Sequence, residues 1–195
     1  LFLAAFIGYM AQKELESKLL AQETLNKYKE LTLLYELGEK IADCIDIDQL
    51  AQLTLTEAQF LMPSGKELQL GVLLVGEAVG HLSICAGQGD LFKVGALFSI
   101  DCITQQVLGS GNSEIVNDVQ QDFRFQLSAG ALNQVQAMLC TPIKTRDNIF
   151  GVLSVVSQMP INFSAAEAKV LNLLASQVAI AIGRVHLIHE RVAQE

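Results

Sequence analysis

At 195 residues the chain is long enough for one large domain, or a medium one with long extensions, and too short for two independent enzymes of ordinary size. Half of it is apolar (51%) and only 17% is charged, so it can bury a sizeable core and is no disordered tail. Thirteen Lys and Arg against 21 Asp and Glu leave a net charge of -8, which opposes counterion release at a phosphate backbone and excludes a general nucleic-acid binder.

Residues 1–10 form the most apolar terminal run, about half of the roughly 20 residues a membrane helix needs. The run lacks the basic start and small-residue cleavage site of a signal peptide, so neither a span nor membrane contact is expected of this fragment. Because the chain opens on Leu1 rather than Met, it is read as a piece of something longer.

Between residues 11 and 44 there is no Pro, and Gly38 is the single Gly, which predicts one long helix. Its first part, residues 12–29, is thick with Lys, Glu and Gln, as a solvated connector would be. Its second part carries Leu31, Leu34, Gly38, Ile41 and Ile45 at steps of three and four, a heptad seam able to pair with another helix. A second helix is expected from Ile47 or Asp48, taken as the N-cap, to Met62, ended by Pro63, Ser64 and Gly65.

The period then changes. Residues 68–75 are a continuous apolar run suited to a buried central strand, and Leu82, Ile84 and Ala86 alternate with His81, Ser83 and Cys85 in a half-buried one, with residues 77–80 as the turn. A short helix is expected over residues 103–108, ended by Gly109, Ser110 and Gly111. Residues 114–116 read as a short strand running into the polar segment 117–125, and residues 137–143 and 149–156 as a second hairpin about the turn 145–148. Ser164 with Glu167 three residues later is a capping box that starts a last helix. Along it Leu171, Leu174, Val178, Ala181, Val185, Ile188 and Val192 step by three and four, while Val170, Leu173, Ile180 and Leu187 make a second apolar row. Two such rows need cover on two sides, one by a sheet and one by a partner helix.

Cys44, Cys85, Cys102 and Cys140 form no CxxC pair and no cluster with His at metal-ligand spacing, so buried reduced thiols in a cytoplasmic protein are expected. His81, His186 and His189 have no second ligand nearby in sequence, and surface roles are expected of them. Asp118, Asp122 and Arg124 suit either loop turns or a polar ligand at a pocket mouth. Phe98, Phe123, Phe125 and Met138 suit either an apolar cavity, with Ser99 and Gln134 as its polar points, or plain core. The candidate ligand set is therefore Phe98, Ser99, Asp118, Phe123, Arg124, Gln134 and Met138. No catalytic or metal-binding residues stand out, and no cofactor is named by the sequence.

The order of elements, with the strings Tyr35-Glu36-Leu37-Gly38, Ile115-Val116-Asn117-Asp118, Phe123-Arg124-Phe125, Thr141-Pro142-Ile143 and Gly151-Val152-Leu153-Ser154-Val155, closely resembles the GAF family of sensory domains. The resemblance implies an α+β fold: an antiparallel sheet of about six strands, the terminal helices on one face, and loops with a short helix forming a small-molecule pocket on the other. It divides the chain into a helical connector over 1–30, the tail of a preceding domain, a GAF-like domain over 31–185, and a connector over 186–195 to an output domain such as a cyclase, histidine kinase or phosphatase. Residues 1–20 resemble 173–191, in keeping with a preceding sensor domain.

Cyclic-nucleotide-binding members resemble one another in an Asn-Lys pair, a Phe and an Asp-Glu pair. Here Ser157 and Gln158, Phe163, and Glu167 and Ala168 stand in those places, so the implied ion pair is lost. No Cys is followed by His, as bilin-binding members have it, and Cys102 has no partner thiol in loops 86–91 and 123–130 of the kind that the family's methionine sulfoxide reductases use. The expected function is a non-enzymatic, small-molecule-sensing regulatory module that forms a parallel homodimer through its first and last helices. A ligand-free dimerisation domain is the alternative, with cyclic-nucleotide binding behind it.

Overall fold

A computed structural model describes residues 2–42, 44, 46–62, 67–76, 80–100, 102–124 and 134–192. The chain divides into two compact units, Leu1–Leu37 and Gly38–Glu195. The first belongs to helix α1 (Phe2–Ala42), which starts nine residues earlier than composition predicts. Its polar stretch is solvated: Lys18 pairs with Glu14 at 2.9 Å one turn apart, and the Thr24 and Thr32 hydroxyls donate to the carbonyls of Leu20 and Tyr28. Of the expected heptad seam, the side chains of Leu31 and Leu34, and all of Ile45, lie outside the described residues.

In the second unit the last turn of α1 is fastened. Ile41 is buried, Lys40 Nζ sits 2.5 Å from Glu57 Oε1, and the Arg184 guanidinium donates to the Ile41 carbonyl, one of the acceptors a helix end leaves over. Helix α2 (Ile47–Leu61) is capped by Asp46, whose carboxylate accepts from the Asp48 N–H, so the cap lies one or two residues before the expected position. Leu50, Ala51, Thr54, Leu55 and Ala58 make its buried stripe. The stop at Pro63, Ser64 and Gly65 falls outside the described residues.

Six strands follow: β1 (Leu68–Val75), β2 (His81–Gln88), β3 (Leu97–Ser99), β4 (Glu114–Val116), β5 (Ala137–Lys144) and β6 (Ile149–Ser157). They form one antiparallel sheet in the order β3-β2-β1-β6-β5-β4, with β1 and β6 central. Between β3 and β4 lies α3 (Cys102–Ser110), which runs through Gly109 and Ser110 and stops at Gly111, at φ +65°. The α+β fold is the one the sequence implied. Two local features were not foreseen. Strand β3 is three residues long and carries no period, its place being set by the Ile84 N–H bond to Ala96 O and the Gly95 N–H bond to Ile84 O. In β2 the register slips, Val72 facing Ala86 and Leu73 facing Ile84, so Cys85 is a bulge and Ala86 lies on the opposite face from Leu82 and Ile84.

Helix α4 (Ala165–Val192) starts at the expected box: the Ser164 N–H and hydroxyl donate to Glu167 Oε2, and the Glu167 N–H returns a bond to Ser164 Oγ. Helices α2 and α4 pack on each other, α2 over β1 and β2 and α4 over β5 and β6. Leu171, Leu174, Val178, Ala181 and Val185 are all buried there, so this row is the one that the domain's own sheet covers. The second row stays outside, Val170 and Leu173 half-buried, Ile180 55% and Leu187 59% exposed.

Candidate functional site

The other face of the sheet carries a separate apolar cluster. Leu73, Leu82, Ile84, Val152, Val156, Met138 and Cys140 rise from the strands to meet Phe92, Phe98 and the α3 residues Ile103 and Val107. Phe92 comes from the loop between β2 and β3 and lies on the strands at two glycines. A Cβ on Gly71 would stand 2.5 Å from the Phe92 ring, and one on Gly87 would collide with the Phe92 carbonyl. Only glycine leaves room for so close an approach. The Phe92 and Phe98 rings are 5.8 Å apart at 32°, so together they roof this part of the sheet.

A polar side-chain atom lies under that roof. Residues directly opposite in neighbouring antiparallel strands share a face, and Ser154 of β6 stands between Gly71 of β1 and Cys140 of β5. Ser154 is 2% exposed, and its Oγ has no hydrogen-bond partner among the described residues. Most buried hydroxyls are satisfied, and an unsatisfied one costs about 1–3 kcal/mol.

The loop after β4 is held by an ion-pair cluster. Arg124 donates through Nη2 to Asp122 Oδ2 at 2.6 Å, through Nε to Oδ1 at 3.0 Å, and through Nη1 to Gln106 Oε1 at 2.6 Å and Glu114 Oε2 at 3.4 Å. Gln106 in turn donates to Glu114 at 2.8 Å. The Arg124 hydrogen bond holds the Asp122 carboxyl below the usual carboxylate range, and the two carboxylates raise the guanidinium further above its ordinary value. Arg124 thus ties α3 and β4 to the loop with its charge already matched.

Of the seven expected site residues, the structure brings Phe98 and Met138 together in the cluster. Phe123 is 75% exposed in the loop after β4. Arg124 pairs with the Asp122 and Glu114 carboxylates, as above. Asp118 is exposed and accepts from the Gln121 N–H, a turn role. Ser99 is exposed at the end of β3, and Gln134 is exposed and accepts from Gln158 Nε2 at 3.3 Å, so neither is a polar point inside the cluster. Phe125 lies outside the described residues. Phe92, Gly71, Cys140 and Ser154 were missed. Gly71 alone gave a signal, a glycine inside an apolar strand.

Burial, then the charge of Asp48, pushes the Cys85 thiol up, and Cys140 is fully buried. Among the described residues no three His, Cys, Asp or Glu side chains gather as a metal site. His81 is exposed, and His186 is exposed against the Phe150 ring.

The family model described as "GAF domain" matches residues 44–183. The chain belongs to the GAF family. Among solved structures, this GAF domain is similar to that of a phosphoenolpyruvate-protein phosphotransferase from Acinetobacter, with a TM-score of 0.68 at 18% identity over 82% of this chain and 96% of that one. It is also similar to a free methionine-R-sulfoxide reductase from Neisseria meningitidis, with a TM-score of 0.63 at 18% identity over 82% and 91% of the two chains. The phycocyanobilin-bound GAF domain of a cyanobacterial phytochrome gives a TM-score of 0.63 at 18% identity, over 82% and 97%. At these identities the likeness shows the fold alone. No curated protein sequence matches the chain.

Proposed function

We propose that this GAF domain is a small-molecule-sensing, dimerising regulatory module of a larger cytoplasmic signalling protein, its ligand lodging on the α3 face of the sheet. The observation that carries the reading is the buried, unpartnered Ser154 hydroxyl beside Gly71 and Cys140. A buried polar point in an apolar surround is how a small-molecule site fixes orientation. Phe98 and Met138 are the walls retained from the expected set, and Phe92 is the side chain a ligand would lift from Gly71. An enzymatic role is not part of the proposal, because the cluster has no nucleophile with a base beside it among the described residues. Cyclic nucleotides fit less well: Gln158 supplies no cation, and Glu167 is engaged in the α4 cap.

The signal would leave through a parallel pairing of terminal helices, in which α4 offers its outer row of Val170, Leu173, Ile180 and Leu187. Native mass spectrometry of the purified chain tests the sensing half. A retained small molecule that Ser154→Ala loses is the expected result. No retained mass, with no thermal shift in a metabolite panel, would leave the second reading, a ligand-free dimerisation domain. Phe92 already filling the space over Gly71 is the observation that favours that alternative.

A further inference from the structure

We propose that the site on the α3 face takes an uncharged aromatic compound with a hydrogen-bonding group bonded directly to its ring, a phenol in the simplest case, and that Phe92 holds the seat of that ring in the empty domain. The inference rests on the sensing reading above and gives its ligand a chemical class.

The sheet register sets the geometry. Gly87 of β2, Gly71 of β1, Ser154 of β6 and Cys140 of β5 stand opposite one another in turn, one line across four neighbouring strands. Phe92 lies along that line. A Cβ on Gly87 would meet the Phe92 carbonyl and, at 2.8 Å, its Cβ, whereas a Cβ on Gly71 would meet Cδ1, Cγ and Cε1 of its ring at 2.5, 2.6 and 3.0 Å. The side chain thus runs from β2 to β1, and the next position on the line is Ser154, with its buried, unpartnered hydroxyl. Phenylalanine has no group at the edge of its ring to meet that oxygen. Neighbouring strands stand about 4.8 Å apart and an O–H···O bond spans about 2.7 Å, which leaves about 2 Å between a ring over Gly71 and its hydrogen-bonding atom. That is room for an atom bonded to the ring and too little for a flexible arm.

Packing asks for a ring. A void left by Phe92 would be costly, so a ligand that lifts it must refill its space with a body of like shape. Gly71 and Gly87 let a flat face approach the strands, Phe98 stays to pack against it as it now packs against Phe92, and Met138 and Cys140 offer sulfur on the same face. Charge argues for a neutral molecule. Among the described residues the buried charged side chain is Glu57, which belongs to α2 and pairs with Lys40, and Arg124 is matched by Asp122 and Glu114. An ionised ligand buried over Ser154 would find no counter-charge. Release of Phe92 disturbs little else, since Leu91 is half-buried and Asp90, Lys93 and Val94 are exposed.

The 195-residue chain is titrated by calorimetry with p-cresol, toluene, p-hydroxybenzoate and cyclohexanol. Expected are binding of p-cresol that Ser154→Ala weakens about tenfold, weaker binding of toluene that the same change leaves alone, and no comparable binding of the charged or the puckered compound. Phe92→Tyr gives a readout without ligand: its own phenol should reach Ser154 Oγ, so it should melt above the parent, and the gain should vanish when Ser154→Ala is added. An equal shift of Tm in both backgrounds would overturn the geometry and the proposal with it. Binding of p-hydroxybenzoate or cyclohexanol as tight as that of p-cresol, and weakened by Ser154→Ala, would overturn the class and leave the sensing reading standing. No binding by any of the four would overturn the class too, and the sensing reading falls with it where native mass spectrometry also finds no retained molecule.

Discussion

Replacing Ser154 by alanine should make the unliganded domain more stable while removing its response to ligand. The hydroxyl is buried among Leu73, Val152, Val156, Met138 and Cys140 on the sheet and has no partner, so it carries a desolvation cost of about 1–3 kcal/mol that folding does not recover. Alanine removes that cost and one small oxygen, leaving little void, because Phe92 and Phe98 already close over the strands. For a domain of this size each kcal/mol moves Tm by roughly 2–4 °C, so Ser154→Ala should melt several degrees above the parent. Urea unfolding should give a higher midpoint at unchanged slope. With ligand bound the order reverses, since only the parent can make the new hydrogen bond. A Tm for Ser154→Ala lower than that of the parent in ligand-free protein would refute the reasoning, because it would mean that the hydroxyl is satisfied in the folded state.

Three other outcomes are expected. Ile180→Asp with Leu187→Asp should yield a monomer by light scattering with Tm nearly unchanged, whereas Val178→Asp, which buries a carboxylate under the sheet, should unfold the domain. Asn117→Ala should cost about 1–3 kcal/mol in urea unfolding, because its amide both accepts from the Phe163 N–H at 2.8 Å and donates to the Phe163 carbonyl at 3.2 Å. The depressed Asp122 pKa means that its contribution is present above the unfolded carboxylate value near 3.9 and is lost as pH falls through the folded one. The unfolding free energy of the parent should therefore drop further than that of Asp122→Asn between about pH 4 and pH 2, by less than about 1 kcal/mol for a pair so near the surface; equal slopes would show that the pair contributes nothing.

What the sequence revealed follows from which features leave a period. Strand β1, the β5–β6 hairpin and α4 were legible because eight or more residues repeat at a spacing of two, of three and four, or as one apolar run. Strand β3 has three residues and owes its place to bonds with β2 across the Gly95 turn, which no local pattern records. The two apolar rows of α4 have the same spacing, and only burial tells which one faces the sheet. The site was the least legible part. Phe123 and Phe98 look alike in sequence, yet one is exposed and the other buried. Phe92 sits in a loop, and its importance comes from Gly71 and Gly87, about twenty and five residues away.

Ser154 is legible only through register, and that is what makes it informative. Within Val152, Leu153, Val155 and Val156 a serine passes as a small residue in a strand, and only its alignment between Gly71 and Cys140 places the hydroxyl under the aromatic roof. A valine or alanine there would cost less, so the position breaks the packing rule that its neighbours obey. Such a break, uncompensated within the fold, marks where a functional constraint is expected. On the proposed reading the compensation comes from outside: a ligand whose polar group meets Ser154 Oγ removes the desolvation penalty and must displace Phe92 to reach it. Binding would then draw on a hydrogen bond worth about 1 kcal/mol and a relieved cost of similar size, against the loss of a packed ring. Because Phe92 also braces β1 and β2 through Gly71 and Gly87, lifting it frees the strands on which α2 rests, and α2 packs on α4. The path from ligand to the outer row of α4 would run through that sheet, not around it.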